Sequence, residues 1–179
     1  MNEEIVPVRA SDLARAWVGL GDLSPRKYEK TSQCPAADQL HDKLKMELAK
    51  DPRVQDFLNR HRFIRRQTGN ILVKGSLDGV KFFGNTVSLV EFKTVYETVE
   101  RASEQTEEAG VFQLLVYIWM IRPILEKEGL TLSDKHYLGI YQRGTEKFLY
   151  RVVVTPDERT ETDIWLLLAE HNGIVKEVR

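Results

Sequence analysis

The stretch Lys74 to Lys93, KGSLDGVKFFGNTVSLVEFK, constrains this chain more than any other. Side chains along a strand alternate between faces, so residues two apart point the same way. In Ile71 to Asp78 that sets Ile71, Val73, Gly75 and Leu77 on one side, and Leu72, Lys74, Ser76 and Asp78 on the other. Ser88-Leu89-Val90 is apolar enough for a central strand and runs into Glu91-Phe92-Lys93, where Glu91 and Lys93 share a face and Phe92 points opposite. Gly84-Asn85 between the two runs is a hairpin signal. Antiparallel pairing then brings Asp78 near Glu91, thirteen residues further on.

Two carboxylates beside an ammonium at the end of a buried strand suit a metal site with a built-in cation, fit for attack on a phosphodiester. The same residues also arise without chemistry, as a cross-strand or solubilising Glu/Lys pair.

At 179 residues the length suggests one domain with a full core. A formal net charge of -1 gives no overall attraction to nucleic acid, so basic side chains would have to be concentrated locally. The single cysteine, Cys34, excludes an internal disulfide and any zinc or iron–sulfur site built from several cysteines of this chain. There is no N-terminal run of signal-peptide type, and the longest apolar stretch, Leu114 to Ile121, is short for a membrane span. A cytoplasmic protein with no membrane partner is expected.

Along the chain, Val8 to Leu20 reads as a helix with Ser11 as N-cap and Leu13, Trp17 and Leu20 on one face. A turn follows, then Ser24-Pro25-Arg26-Lys27-Tyr28, whose basic pair can touch phosphate or simply be solvated. A longer helix is expected from Pro35 to Lys50, with Ala37, His41, Leu44 and Leu48 on one stripe, which places His41 toward the interior as a hydrogen-bonded core residue or a ligand. A short helix over Val54 to Arg60 turns Phe57 and Leu58 inward.

The densest basic run, Arg60-His61-Arg62-Phe63-Ile64-Arg65-Arg66, reads as a strand leading through Thr68-Gly69-Asn70 into Ile71. Its arginines suit either a phosphate backbone or a charged, protective sheet edge. Thr94 to Gly110 suggests a mobile connection or an exposed helical turn. The apolar helix after it, Val111 to Leu125, sets Gln113 and Tyr117 on one face, and Pro123 should kink or loosen its last turn. Strands over Tyr137 to Gln142 and Lys147 to Thr155 form a hairpin, and a helix over Glu161 to Glu170 buries Ile164, Trp165, Leu167 and Leu168.

The order helix, three-stranded meander, helix, strand, strand, helix, with Asp78, Glu91-Phe92-Lys93 and then Gln113 and Tyr117, resembles the PD-(D/E)XK nuclease superfamily. It looks most like RecB-type nuclease domains and the CRISPR-associated RecB-like exonucleases, which carry a Gln-x-x-x-Tyr helix after the Glu-x-Lys strand and an upstream helical histidine, here His41. The resemblance spans Ser11 to Tyr150. It departs from the CRISPR-associated members in its cysteines: Ser24 precedes Pro25-Arg26 and Cys34 stands alone, so no iron–sulfur cluster is expected. The residue before the first acid is Leu77 rather than proline.

The resemblance implies an α/β (α+β) fold with a restriction-endonuclease-like core, in which a central mixed sheet with an antiparallel meander is flanked by helices. One RecB-like domain would fill 1–179: a helical part (1–60), a catalytic sheet and helix (61–155), and a C-terminal helix and tail (156–179). It further implies Mg2+ or Mn2+ held by His41, Asp78, Glu91 and the carbonyl of Phe92, with Lys93, Gln113 and Tyr117 completing the catalytic set. DNA, with single strands favoured, would be cut by exo- or endonuclease action and contacted through Arg26, Arg65, Arg66 and Lys74. Room remains for a helicase or other protein partner and for a homo-oligomer. A non-catalytic nucleic-acid-binding subunit of the same fold, or a structure-specific endonuclease such as a junction resolvase, are the alternatives.

Overall fold

The computed structural model describes residues 5–19, 35–95, 99–142 and 147–164. Where the sequence suggested a helix from Val8, the first element of the described residues is a strand, β1 (Val6–Arg9), paired in parallel with β3 (Ile71–Ser76). It passes directly into α1 (Ala10–Trp17), so Arg9 rather than Ser11 is the N-cap, with no side-chain cap bond. The Arg9 guanidinium instead holds Asp12 at 2.8 and 3.1 Å. Leu13 is buried as expected, while Trp17 is 41% exposed and stacks on Phe112 with ring centroids 4.4 Å apart. Leu20 lies outside the described residues.

α2 (Pro35–Leu48) ends close to its expected limit, and α3 (Pro52–His61) begins where the Asp51 side chain accepts the Arg53 amide at 2.9 Å. Proline in that first turn costs no hydrogen bond, because its missing N–H would have had no helical partner. β2 (Phe63–Thr68) turns at Gly69 into β3, giving the sheet order β1-β3-β2.

The main departure from the alternation argument falls between Ser76 and Gly79. The strand expected to reach Asp78 stops at Ser76, and a new strand, β4 (Gly79–Phe83), opens a second sheet. It is β4 that turns at Gly84 into β5 (Thr86–Val95), antiparallel, with Gly79 opposite Val90 and Val80 opposite Leu89. Continuing that register by one residue sets Asp78 opposite Glu91. The change of sheet is tied down by the Leu77 amide, which donates to the Arg62 carbonyl at 2.8 Å, and by burial of the Leu77 side chain.

β5 is the central strand. Beside it lie β4 on one edge and, on the other, the two-residue β6 (Thr131–Leu132), which the sequence reading missed, and the parallel β7 (His136–Gln142). β7 pairs in turn with antiparallel β8 (Lys147–Val154). Between β6 and β7 the edge of β5 is completed by a side chain: His136 Nδ1 accepts the Leu89 amide at 2.9 Å, and Nε2 donates to the Ser133 carbonyl at 3.0 Å.

α4 (Val99–Lys127) is far longer than expected, since the polar segment before Gly110 is helical, with Glu104, Gln105 and Glu108 exposed. The part from Glu104 to Lys127 is long and apolar enough to cross a membrane by length and composition, but 61% of its most apolar 18-residue window is buried, packed against the sheet and α1. Pro123 does not end the helix. Its missing N–H would strand the Trp119 carbonyl one turn back. The Arg66 guanidinium donates to that carbonyl at 2.5 Å and lies over the Trp119 ring, 4.5 Å from its centroid.

Residues 160–164 are helical with Ile164 buried; the rest of the expected last helix lies outside the described residues. The architecture is the expected mixed α/β one, with mixed sheets flanked by helices, but the expected antiparallel meander is split into two hairpins, β2–β3 and β4–β5, in different sheets.

Candidate active site

Asp78 sits in the link between the two sheets, only 5% exposed. Its Oδ2 accepts the Phe92 amide at 3.0 Å, which locks the carboxylate onto β5. From α2, His41 Nε2 reaches the Phe92 carbonyl at 2.9 Å and lies 3.7 Å from Asp78 Oδ2. A carbonyl only accepts, so the ring nitrogen carries the proton here. One turn further along α2, Lys45 Nζ stands 2.9 Å from Asp78 Oδ1.

Glu91 and Lys93 share the opposite face of β5, as the alternation requires, and look toward α4. Glu91 Oε1 accepts from Lys93 Nζ at 3.0 Å and from Gln113 Nε2 at 2.8 Å. Lys93 also donates to Gln113 Oε1 at 2.5 Å, so the amide clamps acid and base together. Gln113 Nε2 lies 3.0 Å from the Tyr117 hydroxyl, one turn along the helix. A Cβ on Gly75 would come within 2.2 Å of the Tyr117 ring, so only glycine lets that ring lie against β3. Gly110 works in the same way beside Lys93: a Cβ there would meet Leu138 at 2.8 Å and the Lys93 Cγ at 3.3 Å.

The electrostatics follow from burial. Removal from water pushes the Glu91 carboxyl up to about 8, helped by the negative charge of Asp78 and opposed by the Lys93 ammonium. Burial, then the charge of Glu91, raises the Tyr117 hydroxyl, which therefore stays protonated. Glu91 Oε2 is buried, and the group beside it is the Asp78 carboxyl. Two buried carboxyls in contact must share a proton or a cation.

His41, Asp78 and the Phe92 carbonyl form one cluster and Glu91, Lys93, Gln113 and Tyr117 another, and the two meet where the Asp78 and Glu91 carboxyls interact. They fit a divalent ion through the chemistry of the donor set: two buried carboxyls, a backbone carbonyl, and an imidazole nitrogen that would give up its bond to that carbonyl in order to ligate. The set is not pre-assembled: among the described residues no three His, Cys, Asp or Glu side chains form a ready metal-holding group.

Lys45 was missed by sequence reasoning, although its position four residues after His41 placed it on the same helix face. Of the expected nucleic-acid contacts, Arg65 and Lys74 are exposed and directly paired across β2 and β3. Arg66 points the other way, onto Trp119. Arg26 lies outside the described residues, as does Cys34. The start of the basic run is neutralised, since Arg60 binds Asp56 at 3.0 Å and Glu128, and His61 also binds Glu128.

No family model and no curated protein sequence matches the chain. Among solved structures it is similar to SSO0001, with 15% identity and a TM-score of 0.55, covering 99% of this chain and 80% of that one. It also matches a phage related exonuclease from Haemophilus somnus 129PT, with 11% identity and a TM-score of 0.46, covering 92% of this chain and 78% of that one. Over nearly its whole length, the chain shares its fold with SSO0001.

Proposed function

We propose that the protein is a divalent-metal-dependent deoxyribonuclease of the RecB-like PD-(D/E)XK branch that hydrolyses phosphodiester bonds in single-stranded DNA. The observation that carries this reading is the buried pair Asp78 and Glu91, 5% and 3% exposed and close enough for each charge to act on the other, with Lys93 alongside. The Glu91–Lys93 ion pair is complete without Asp78, so the second acid buried beside it supports a cation site.

His41, Asp78, Glu91 and the Phe92 carbonyl would hold the ion, and oxygen donors with one imidazole suit Mg2+ or Mn2+. When bound, it would polarise the scissile phosphate and acidify a water. Lys93 would orient that water and offset charge developing at phosphorus, while Gln113, fixed by Tyr117, holds the ammonium in place. The reading includes no iron–sulfur cluster. The reading leaves room for a helicase or other partner that supplies single strands, and for a homo-oligomer.

The test is cleavage of 5′- and 3′-labelled single strands, duplex and circular single strands, each with EDTA, Mg2+ or Mn2+. Metal-dependent cutting is expected, lost in Asp78→Ala, Glu91→Ala and Lys93→Ala variants that keep the wild-type circular dichroism. Full cleavage by Lys93→Ala would discard the assignment, and cutting of circles would make the enzyme an endonuclease.

One observation favours a second reading, a non-catalytic nucleic-acid-binding subunit. The Lys45 ammonium already neutralises Asp78. In that case calorimetry would register no Mn2+ uptake.

A further inference from the structure

On β2 the side chains divide cleanly. Ile64 is buried and Arg66 is engaged by Trp119, while Phe63, Arg65 and Gln67 lie on the other face. Phe63 is 82% exposed, the most exposed large apolar side chain among the described residues. Across the ladder Phe63 faces Ser76 and Arg65 faces Lys74. Among the described residues neither Arg65 nor Lys74 has an acidic partner, unlike Arg60 at the start of the same run.

Ser76, the partner of Phe63, is the last residue of β3, two positions before Asp78 in the link between the sheets. An exposed ring beside two cations that lack an acidic partner among the described residues is unusual on an edge strand. Edge strands are protected by charge, and an exposed phenyl works against that protection. Single strands, unlike duplexes, offer free base faces to an aromatic ring while their phosphates follow the neighbouring cations.

We infer that the outer face of the β2–β3 ribbon is a single-strand docking track, with Phe63 stacking on a base next to the scissile phosphate and Arg65 and Lys74 holding the backbone that follows. This rests on the nuclease reading for its account of which strand is cut, but not for binding itself. Phe63 serves as a platform that duplex DNA cannot use.

The experiment is fluorescence anisotropy of a labelled oligo-dT and of a duplex of equal length, in EDTA so that no cleavage occurs. Phe63→Ala should weaken oligo-dT binding by about tenfold. Duplex binding should be unchanged, and Phe63→Trp should restore affinity for the single strand. Arg65→Ala with Lys74→Ala should lower the salt slope on oligo-dT by roughly 1.4, two single-strand phosphate contacts. Unaltered oligo-dT affinity in Phe63→Ala, equal losses on both DNAs, or no oligonucleotide binding by the wild type would each overturn the track. If the binding series holds but Mn2+ elicits no cutting, the nuclease reading fails and the track stands.

Discussion

Lys45 Nζ stands 2.9 Å from Asp78 Oδ1, so an ammonium holds the carboxylate oxygen that a divalent ion would need. The contact is partly shielded, with the two side chains 25% and 6% exposed. A charge-assisted bond there competes directly with metal. Lys45→Met should therefore tighten Mn2+ binding, by roughly tenfold if the bond is worth what such bonds usually are. Calorimetric titration reads this without any cleavage assay. Unchanged Mn2+ affinity would mean that the ammonium leaves Asp78 at no cost and is not a competitor.

Glu91 sets the direction of the pH dependence. Its carboxyl titrates near 8 in the folded chain, against 4.5 for the free side chain, because burial and Asp78 disfavour the anion. Between those values the native state holds a proton that the unfolded state has lost, so this group makes stability fall as pH rises. The slope is on the order of 1 kcal/mol per pH unit. Denaturant unfolding in EDTA at several pH values, wild type against Glu91→Gln, isolates the effect: the wild type should lose stability relative to the variant steadily from pH 5 to 8. Parallel curves would place the Glu91 carboxyl near its ordinary range.

His136 acts with the opposite sign and at lower pH. Burial takes its imidazole down to about 4 from 6.5, so the folded chain keeps the ring neutral, with Nδ1 accepting from Leu89 and Nε2 donating to Ser133. Its contribution is complete above about pH 6.5 and is lost as pH falls toward 4. His136→Ala leaves the Leu89 amide without a partner inside the sheet. It should lower stability by about 2 to 4 kcal/mol at pH 7. The deficit should shrink below pH 6, where the wild type weakens as well; a pH-independent deficit would contradict a buried neutral ring.

Much of this site could be read from spacing alone. Two-residue alternation put Glu91 and Lys93 on one face, and four-residue spacing put Gln113 beside Tyr117, because strand and helix geometry are nearly fixed once the element type is right. The break after Ser76 was not legible, since Leu77 and Asp78 continue the alternating pattern while the backbone changes sheets. Nor was β1, whose four residues run into α1 without a turn signal. The first half of α4 was hidden by its exposure: Glu104, Gln105 and Glu108 face water, and no apolar stripe announces a helix there. Lys45 resembled any surface lysine until the fold brought Asp78 beneath it.

Arg66 shows the same difficulty, and its role can be measured. Pro123 deprives the Trp119 carbonyl of its helical donor, and the Arg66 guanidinium takes that place at 2.5 Å while lying on the indole. Arg66→Ala should cost about 1 to 3 kcal/mol, the price of a buried acceptor left unsatisfied. In a Pro123→Ala background the new N–H can reach Trp119, so the same substitution should cost less, with a coupling energy of about 1 kcal/mol in the double-mutant cycle. Equal costs in both backgrounds would reduce the arginine to a cation resting on an aromatic face. The salt slope of DNA binding should be the same in the wild type and in Arg66→Ala, since a guanidinium committed to the helix carbonyl has no phosphate to release.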